Sequence, residues 1–374
     1  MKKYFTITLL LILSLAIQAQ QLIDRDATKE TKALYKNLKM LSQKGFLFGH
    51  HEDDAYGVGW SALPGRSDVK DIVGSYPAVH GWDLGKIEYN AANNIDGVDF
   101  AKQLQWIEAV YKRGGVNTIS WHVDNPLTKK DAWDKTPAVK SILPGGINHD
   151  YFVKQLDNVA EFLNKCQSSS TKIPMIFRPW HEHNGDWFWW GKGNCSEEDF
   201  VQLWKFTVTY LRDVKKLHHL IYAFSPDRSR MDLTNAENSY YYAYPGDDYV
   251  DVIGLDDYQD VGEAKTDEEF ETKKKDFVTV LSSISAIAEK KNKVAALTET
   301  GQEGVKNPTW YTDVLLNPIK SNTNIHIAYV MVWRNANTKH HYAPYSNHSS
   351  AEDFKTFYTD PYTLFESDLK GIYK

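Results

Sequence analysis

The feature that most constrains this chain is a recurrence. Eight short apolar runs return along it, at Phe46–Gly49, Pro77–Trp82, Val116–Trp121, Ile173–Arg178, His219–Phe224, Val250–Leu255, Lys293–Thr298 and Ile327–Trp333. Longer stretches with helical periodicity lie between them, among them Phe100–Arg113, Tyr151–Lys165, Phe200–Lys215 and Asp276–Lys291. In the first of these, Phe100, Leu104, Ile107 and Val110 share one helical face, and Gly114-Gly115 supplies the stop. Strands that alternate with helices imply a parallel sheet, because a parallel neighbour needs a crossover. Eight such units in one chain predict an α/β fold, a (β/α)8 TIM barrel of a single domain with elaborated loops at the C-terminal face of the strands. A doubly wound open sheet is the alternative, weakened because no G-x-G-x-x-G follows the first strand. The charged run Glu263 to Lys275 leads into Phe277, Val280, Leu281, Ile284, Ile287 and Ala288, so it reads as a solvated helix face and not as a domain boundary.

The first residues read as a targeting segment. Lys2 and Lys3 precede an apolar stretch from Phe5 to Ile17, and Ala19 offers a small residue for cleavage. Residues 1–19 are therefore expected to be a signal peptide, and residues 20–374 the catalytic domain. No cysteine follows the apolar run to carry a lipid, so the expectation is export without a membrane anchor, into the periplasm or the medium. The net charge is −6, and loss of the two leading lysines makes it more negative, which argues against nucleic acid as a partner. The two cysteines, Cys166 and Cys195, flank the fourth strand and are expected not to pair. No CxxC or HExxH pattern appears, so no metal or other cofactor is expected. Oligomeric state is not legible. The 12 Trp and 22 Tyr exceed what a core needs, and suit a cleft that packs aromatic faces on sugar rings.

In such barrels, chemistry gathers where the strands end. Here those ends are dense in polar and aromatic residues. The first run ends in Gly49-His50-His51-Glu52, the second in Trp82-Asp83, and the third in Trp121-His122. The fourth ends in Arg178-Pro179-Trp180-His181-Glu182-His183-Asn184-Gly185-Asp186-Trp187-Phe188-Trp189-Trp190. The sixth ends in Asp256-Asp257-Tyr258, the seventh in Glu299-Thr300, and the eighth in Trp333-Arg334. Glycoside hydrolysis needs two carboxyl groups flanking the scissile bond, one protonated and one ionised. Glu182 lies in an aromatic setting that raises a carboxyl pKa, which suits the acid. Glu299 ends a buried strand, where a cation such as Arg178 would keep it ionised.

The strand-four segment from Arg178 to Gly191 resembles the signature of glycoside hydrolase family 26, the family of many bacterial β-mannanases. Thr298-Glu299-Thr300-Gly301 is similar to its strand-seven nucleophile motif, and Phe48-Gly49-His50, His80-Gly81-Trp82-Asp83, Ser120-Trp121-His122 and Val332-Trp333-Arg334 resemble family segments at matching strands. The resemblance implies a retaining double displacement with Glu182 as acid/base and Glu299 as nucleophile. It also implies carboxyl groups about 5–5.5 Å apart, as in retaining enzymes generally. By the same resemblance, His181 binds sugar near the cut, Trp187 walls the leaving-group side, and Tyr258 holds the nucleophile with Asp256 nearby. Trp333 underlies the sugar being cleaved, and His122 and Arg178 contact sugar or carboxylate.

One departure is His183, where the family often carries Met, which bears on the shape of the subsite. The substrate implied is β-1,4-mannan, galactomannan or manno-oligosaccharide, with mannobiose a prominent product. Three alternatives stand beside it: the same mechanism on β-1,3-xylan or mixed-linkage β-glucan, a non-catalytic sugar-binding protein, and a metal-dependent hydrolase using His50, His122 and His181. His50 and His51 beside Glu52 could ligate a metal, but neighbouring strand positions point to opposite faces, which favours a structural role.

Overall fold

A computed structural model describes residues 22–374, so the segment read as a signal lies outside the described residues. Eight parallel strands form its centre: β1 (Phe46–His51), β2 (Val79–Asp83), β3 (Val116–Ser120), β4 (Met175–Arg178), β5 (Leu220–Phe224), β6 (Val252–Asp257), β7 (Val294–Thr300) and β8 (Ile327–Val332). Each pairs with its sequence neighbour, and β8 pairs back onto β1 with Leu47 opposite Tyr329 and His50 opposite Val332. The sheet is thus a closed barrel. A two-residue strand, Thr363–Leu364, adds to the outer start of β1.

Strand alternation divides the buried side chains into two sets. Phe46, Phe48, Trp82, Ile119, Phe177 and Phe224 face outward into the large core shared with the helices. Leu47, Val79, Val116, Ile176, Ile221 and Val252 point inward and fill the lower barrel. A helix not expected from the sequence, α1 (Lys29–Leu41), closes the bottom. Its Leu34, Tyr35 and Leu38 join the inward set, and the Tyr35 hydroxyl donates to the Asp251 carbonyl at 3.1 Å. Thr28 caps α1 by accepting from the Thr31 amide.

The expected helices form, with shifted ends. The second runs His149–Lys165. The third is α-helical over Glu197–Thr209 and widens to a π-turn over Tyr210–Val214. The last spans Asp267–Lys290, taking in most of the charged run as exposed helix capped by Thr266. Among the described residues no helix is long and apolar enough to cross a membrane. Cys166 and Cys195 are both free thiols.

Candidate active site

The upper barrel differs from the lower. The next inward positions along the strands are His51, Asp83, His122, Arg178, Asp256 and Glu299, all buried. The barrel interior therefore changes from hydrocarbon to a network of charges within a few residues, at the end where the loops begin.

Glu299 is held from two sides. The Arg178 guanidinium donates to its Oε2 and, through Nη1, to Asp256 Oδ2 at 2.6 Å. The Tyr258 hydroxyl donates to Glu299 Oε1 at 2.8 Å. Burial and the charge of Glu299 hold the Tyr258 phenol well above its ordinary value, so it remains a donor. Asp256 is fixed in turn by the Thr298 hydroxyl at 2.7 Å. A register shift in the β6–β7 pairing after Leu255 sets Asp256 opposite Glu299. Arg178 and Asp256 are buried completely, so their side chains reach each other and Glu299 rather than the cleft surface.

Glu182 is held differently. Trp180 and Glu182 both adopt left-handed backbone, with φ of 53° and 54°, a conformation that costs a non-glycine residue of order 1–3 kcal/mol. The surroundings enforce it. The Glu182 amide donates to the Ser225 carbonyl at 2.8 Å, and Asn184 exchanges two 2.7 Å hydrogen bonds with the backbone of Asp227. Gly185 lets Trp187 fold back over the turn, since a Cβ there would lie 2.3 Å from the indole. The Trp187 indole N–H then donates to Glu182 Oε2 at 2.6 Å. Burial, helped by the negative charges of Asp256, Glu299 and Asp227, pushes Glu182 well above the ordinary carboxyl range, while the Trp187 donor pulls the other way.

A second chain of contacts crosses the floor. Asp83 accepts from Ser120 Oγ and His122 Nδ1, both at 2.7 Å, and His122 Nε2 lies 3.2 Å from His181 Nε2. Burial opposes protonation of His122, but the Asp83 carboxylate outweighs it and raises its pKa. Burial and Arg178 keep His181 neutral, with its pKa well below the ordinary value. His122 thus bridges Asp83 and His181, one through each ring nitrogen.

Trp333 stacks on His51, with ring centroids 4.1 Å apart and planes 19° apart, and meets His122 edge-on at 5.9 Å. Trp187 and Trp333 are only half-buried.

The sequence profile of glycosyl hydrolase family 26 matches residues 23–368. The chain belongs to glycosyl hydrolase family 26. The family 26 chain is 35% identical over 354 residues to a mannan endo-1,4-β-mannosidase of Bifidobacterium adolescentis, covering 89% of itself but only 34% of that protein, and so spans about a third of that relative's length. A mannan endo-1,4-β-mannosidase of Bacillus subtilis is 29% identical over 284 residues, 69% of this chain and 74% of that one. Among solved structures, a family 26 β-mannanase from Bacteroides ovatus superposes with a TM-score of 0.86 at 42% identity, covering 93% of this chain and 98% of the other. A modular endo-β-1,4-mannanase from Cellulomonas fimi gives 0.85 at 35% identity, over 94% and 79%.

Other site expectations meet the geometry unevenly. His183 does not face the cleft. Its ring stacks on Phe200 at 4.5 Å and its Nε2 donates to the Tyr242 carbonyl at 2.9 Å, so the departure from Met changes packing behind the loop and leaves the subsite alone. Trp189 and Trp190 are structural: both are fully buried, with indoles donating to the Val123 and His181 carbonyls. His50 faces outward and bonds Asp53 at 2.8 Å, so it does not assemble with His122 and His181. Sequence reasoning missed Asp83 as the anchor of His122. It also missed Trp133, an indole 51% exposed that stacks on His122 at 5.5 Å. Arg230, over the Trp187 ring at 5.3 Å, was missed too. Asp83 was detectable as the last inward residue of β2; Trp133 and Arg230 lie on loops whose course no periodicity encodes.

Proposed function

We propose that this chain is a retaining endo-acting β-mannanase: a glycoside hydrolase that cleaves β-1,4-mannosidic bonds by double displacement. Glu182 protonates the leaving oxygen and Glu299 attacks the anomeric carbon; water then resolves the glycosyl-enzyme with Glu182 acting as base. The observation that carries this reading is the unequal treatment of two neighbouring carboxyl groups. Glu182 has a raised pKa and one donor. Glu299 has both oxygens engaged by Arg178 and Tyr258. An acid must hold a proton near neutral pH, and a nucleophile must not.

His122 and His181 form the polar floor, Trp333 the platform under the sugar that is cleaved, and Trp187 the wall on the leaving-group side. Arg178, Asp256 and Tyr258 hold the nucleophile. Mannan as substrate rests on the mannanases that this family 26 chain resembles over most of its length. The leading segment supports export, with residues 20–374 as the working domain in the periplasm or the medium. A periplasmic enzyme meets soluble galactomannan or manno-oligosaccharides, from which mannobiose is the expected main product.

The test is a panel of linear mannan, galactomannan, β-1,3-xylan and mixed-linkage glucan, with the anomer of the first product read by NMR. Mannan cleaved fastest, with β-product first, is expected. Preference for xylan or glucan would replace the substrate, α-product would replace the mechanism, and binding without cleavage would remove the enzyme. A time course on mannohexaose tests mannobiose release, and the mass of the exported protein tests cleavage after Ala19.

A further inference from the structure

The alternation rule that sets His51 and Glu52 on opposite faces does not hold where the strand ends. β1 stops at His51, and Glu52 turns into left-handed backbone with φ of 54°, its amide donating to the Gly81 carbonyl at 2.8 Å. That turn brings the Glu52 carboxyl to the same side as the His51 ring. Asp96, from the loop after β2, completes the group: an imidazole nitrogen and two carboxylate oxygens all lie within 4.8 Å of one another.

Each of the two carboxyl groups has one oxygen engaged and one left over. Glu52 Oε1 accepts from the Asn94 side chain at 2.6 Å, and Asp96 Oδ1 pairs with Arg334 at 2.9 Å. Glu52 Oε2, Asp96 Oδ2 and both nitrogens of His51 are buried and make no hydrogen bond of good geometry among the described residues, and the Tyr56 hydroxyl lies near enough to Glu52 to favour its charged form. Glu52 and His51 are 0% and 1% exposed, so bulk water does not solvate those atoms. Buried polar atoms are nearly always paired, and three side chains that bring unpaired atoms together from the end of β1 and the loop after β2 make a candidate ligand set. We propose that His51, Glu52 and Asp96 bind a divalent transition-metal ion of the zinc or manganese class.

One imidazole and two carboxylates suit such an ion better than calcium, which takes oxygen ligands in larger number. Around one ion at about 2.1 Å, tetrahedral ligands lie roughly 3.4 Å apart, so no pair of the three side chains has to close by more than about 1.4 Å on binding. The two carboxylates offset the dication, and Arg334, which leaves one positive charge over, remains on the far oxygen of Asp96, where it orients that ligand. The other buried triad, Asp53, Asp54 and His80, is unlike this one. There Asp54 is already held by both Arg113 at 2.9 Å and His80 at 2.6 Å. The ion would sit behind the active-site floor, since His51 is the ring on which Trp333 stacks. Its role is to fix that ring and the Asp96–Arg334 pair. It takes no part in bond cleavage.

Full-length protein stripped with chelator and titrated calorimetrically with zinc, manganese or calcium chloride tests the site. One equivalent of zinc or manganese should bind, and at a hundredfold excess over Kd should raise Tm by about 4 °C. Glu52→Gln keeps the shape and should weaken binding at least about tenfold; Asp96→Asn should do the same and serves if the first variant does not fold. Absence of binding up to millimolar metal would overturn the proposal, and would mean that a proton shared by Glu52 and Asp96 occupies the position. Binding unchanged in both variants would overturn it as well, by placing the ion elsewhere. None of these readouts depends on mannan being cleaved.

Discussion

Glu182 and Glu299 interact electrostatically at the top of one barrel and are built by opposite means. Glu299 lies near the end of β7, and its support comes from the barrel interior: Arg178 of β4, and Asp256 and Tyr258 at the end of β6. Glu182 lies on an irregular turn, and its support is backbone strain, reciprocal loop hydrogen bonds and one indole. The first arrangement stabilises a charge, and the second discourages one. Two identical side chains thus acquire different chemistry from their neighbours alone.

The sharpest test of that contrast is removal of each carboxyl group. Glu299→Ala should bring turnover of every substrate to background, because no other group attacks the anomeric carbon. Glu182→Ala should slow cleavage of mannan about 10²–10⁴-fold, yet largely spare the first step on an aryl mannoside whose leaving group needs no proton. Equal losses on natural and activated substrates would erase the distinction. The alkaline limb of the pH–kcat/KM profile should vanish with Glu182→Gln. Glu182 works protonated, so activity falls as pH rises through its elevated pKa.

Trp187→Phe sharpens the comparison further. The indole N–H stabilises the charged form of Glu182, so its loss should raise the carboxyl pKa and move the alkaline limb upward. A hydrogen bond of ~1 kcal/mol corresponds to about 0.7 pH unit. A downward shift would show that Trp187 acts on Glu182 by excluding water instead.

The smallest effect is expected from His183→Met. Burial keeps the His183 ring neutral with a pKa of about 4, and its single strong contact is the Tyr242 carbonyl. Its replacement should cost ~1 kcal/mol in urea denaturation and leave kcat/KM unchanged. A change in kcat/KM larger than threefold would mean that packing behind the loop sets the position of Glu182.

What the sequence determined by itself was the periodic part. Eight apolar runs and their crossovers specify a parallel sheet, because alternating burial and helical spacing are local properties of the chain, whereas its closure through β8 and β1 is a long-range pairing. The density of polar residues at the strand ends located the site for the same reason, and the strand-four segment drew Glu182 out of it. The tertiary structure decided what depends on departures from periodicity. The left-handed turn at Glu52 reverses the face that alternation assigns, the one at Glu182 lies beyond the strand where alternation assigns nothing, and the shift after Leu255 decides which acid meets Arg178. His183 turned inward because Phe200 and Phe224, from a helix and a strand beyond it, enclose its ring. Helix α1 seals the barrel floor through contacts with strands far along the chain, which its own sequence does not encode. Charge states belong to this second group throughout, since a carboxyl pKa is set by the atoms that surround it in space and not by its neighbours in sequence.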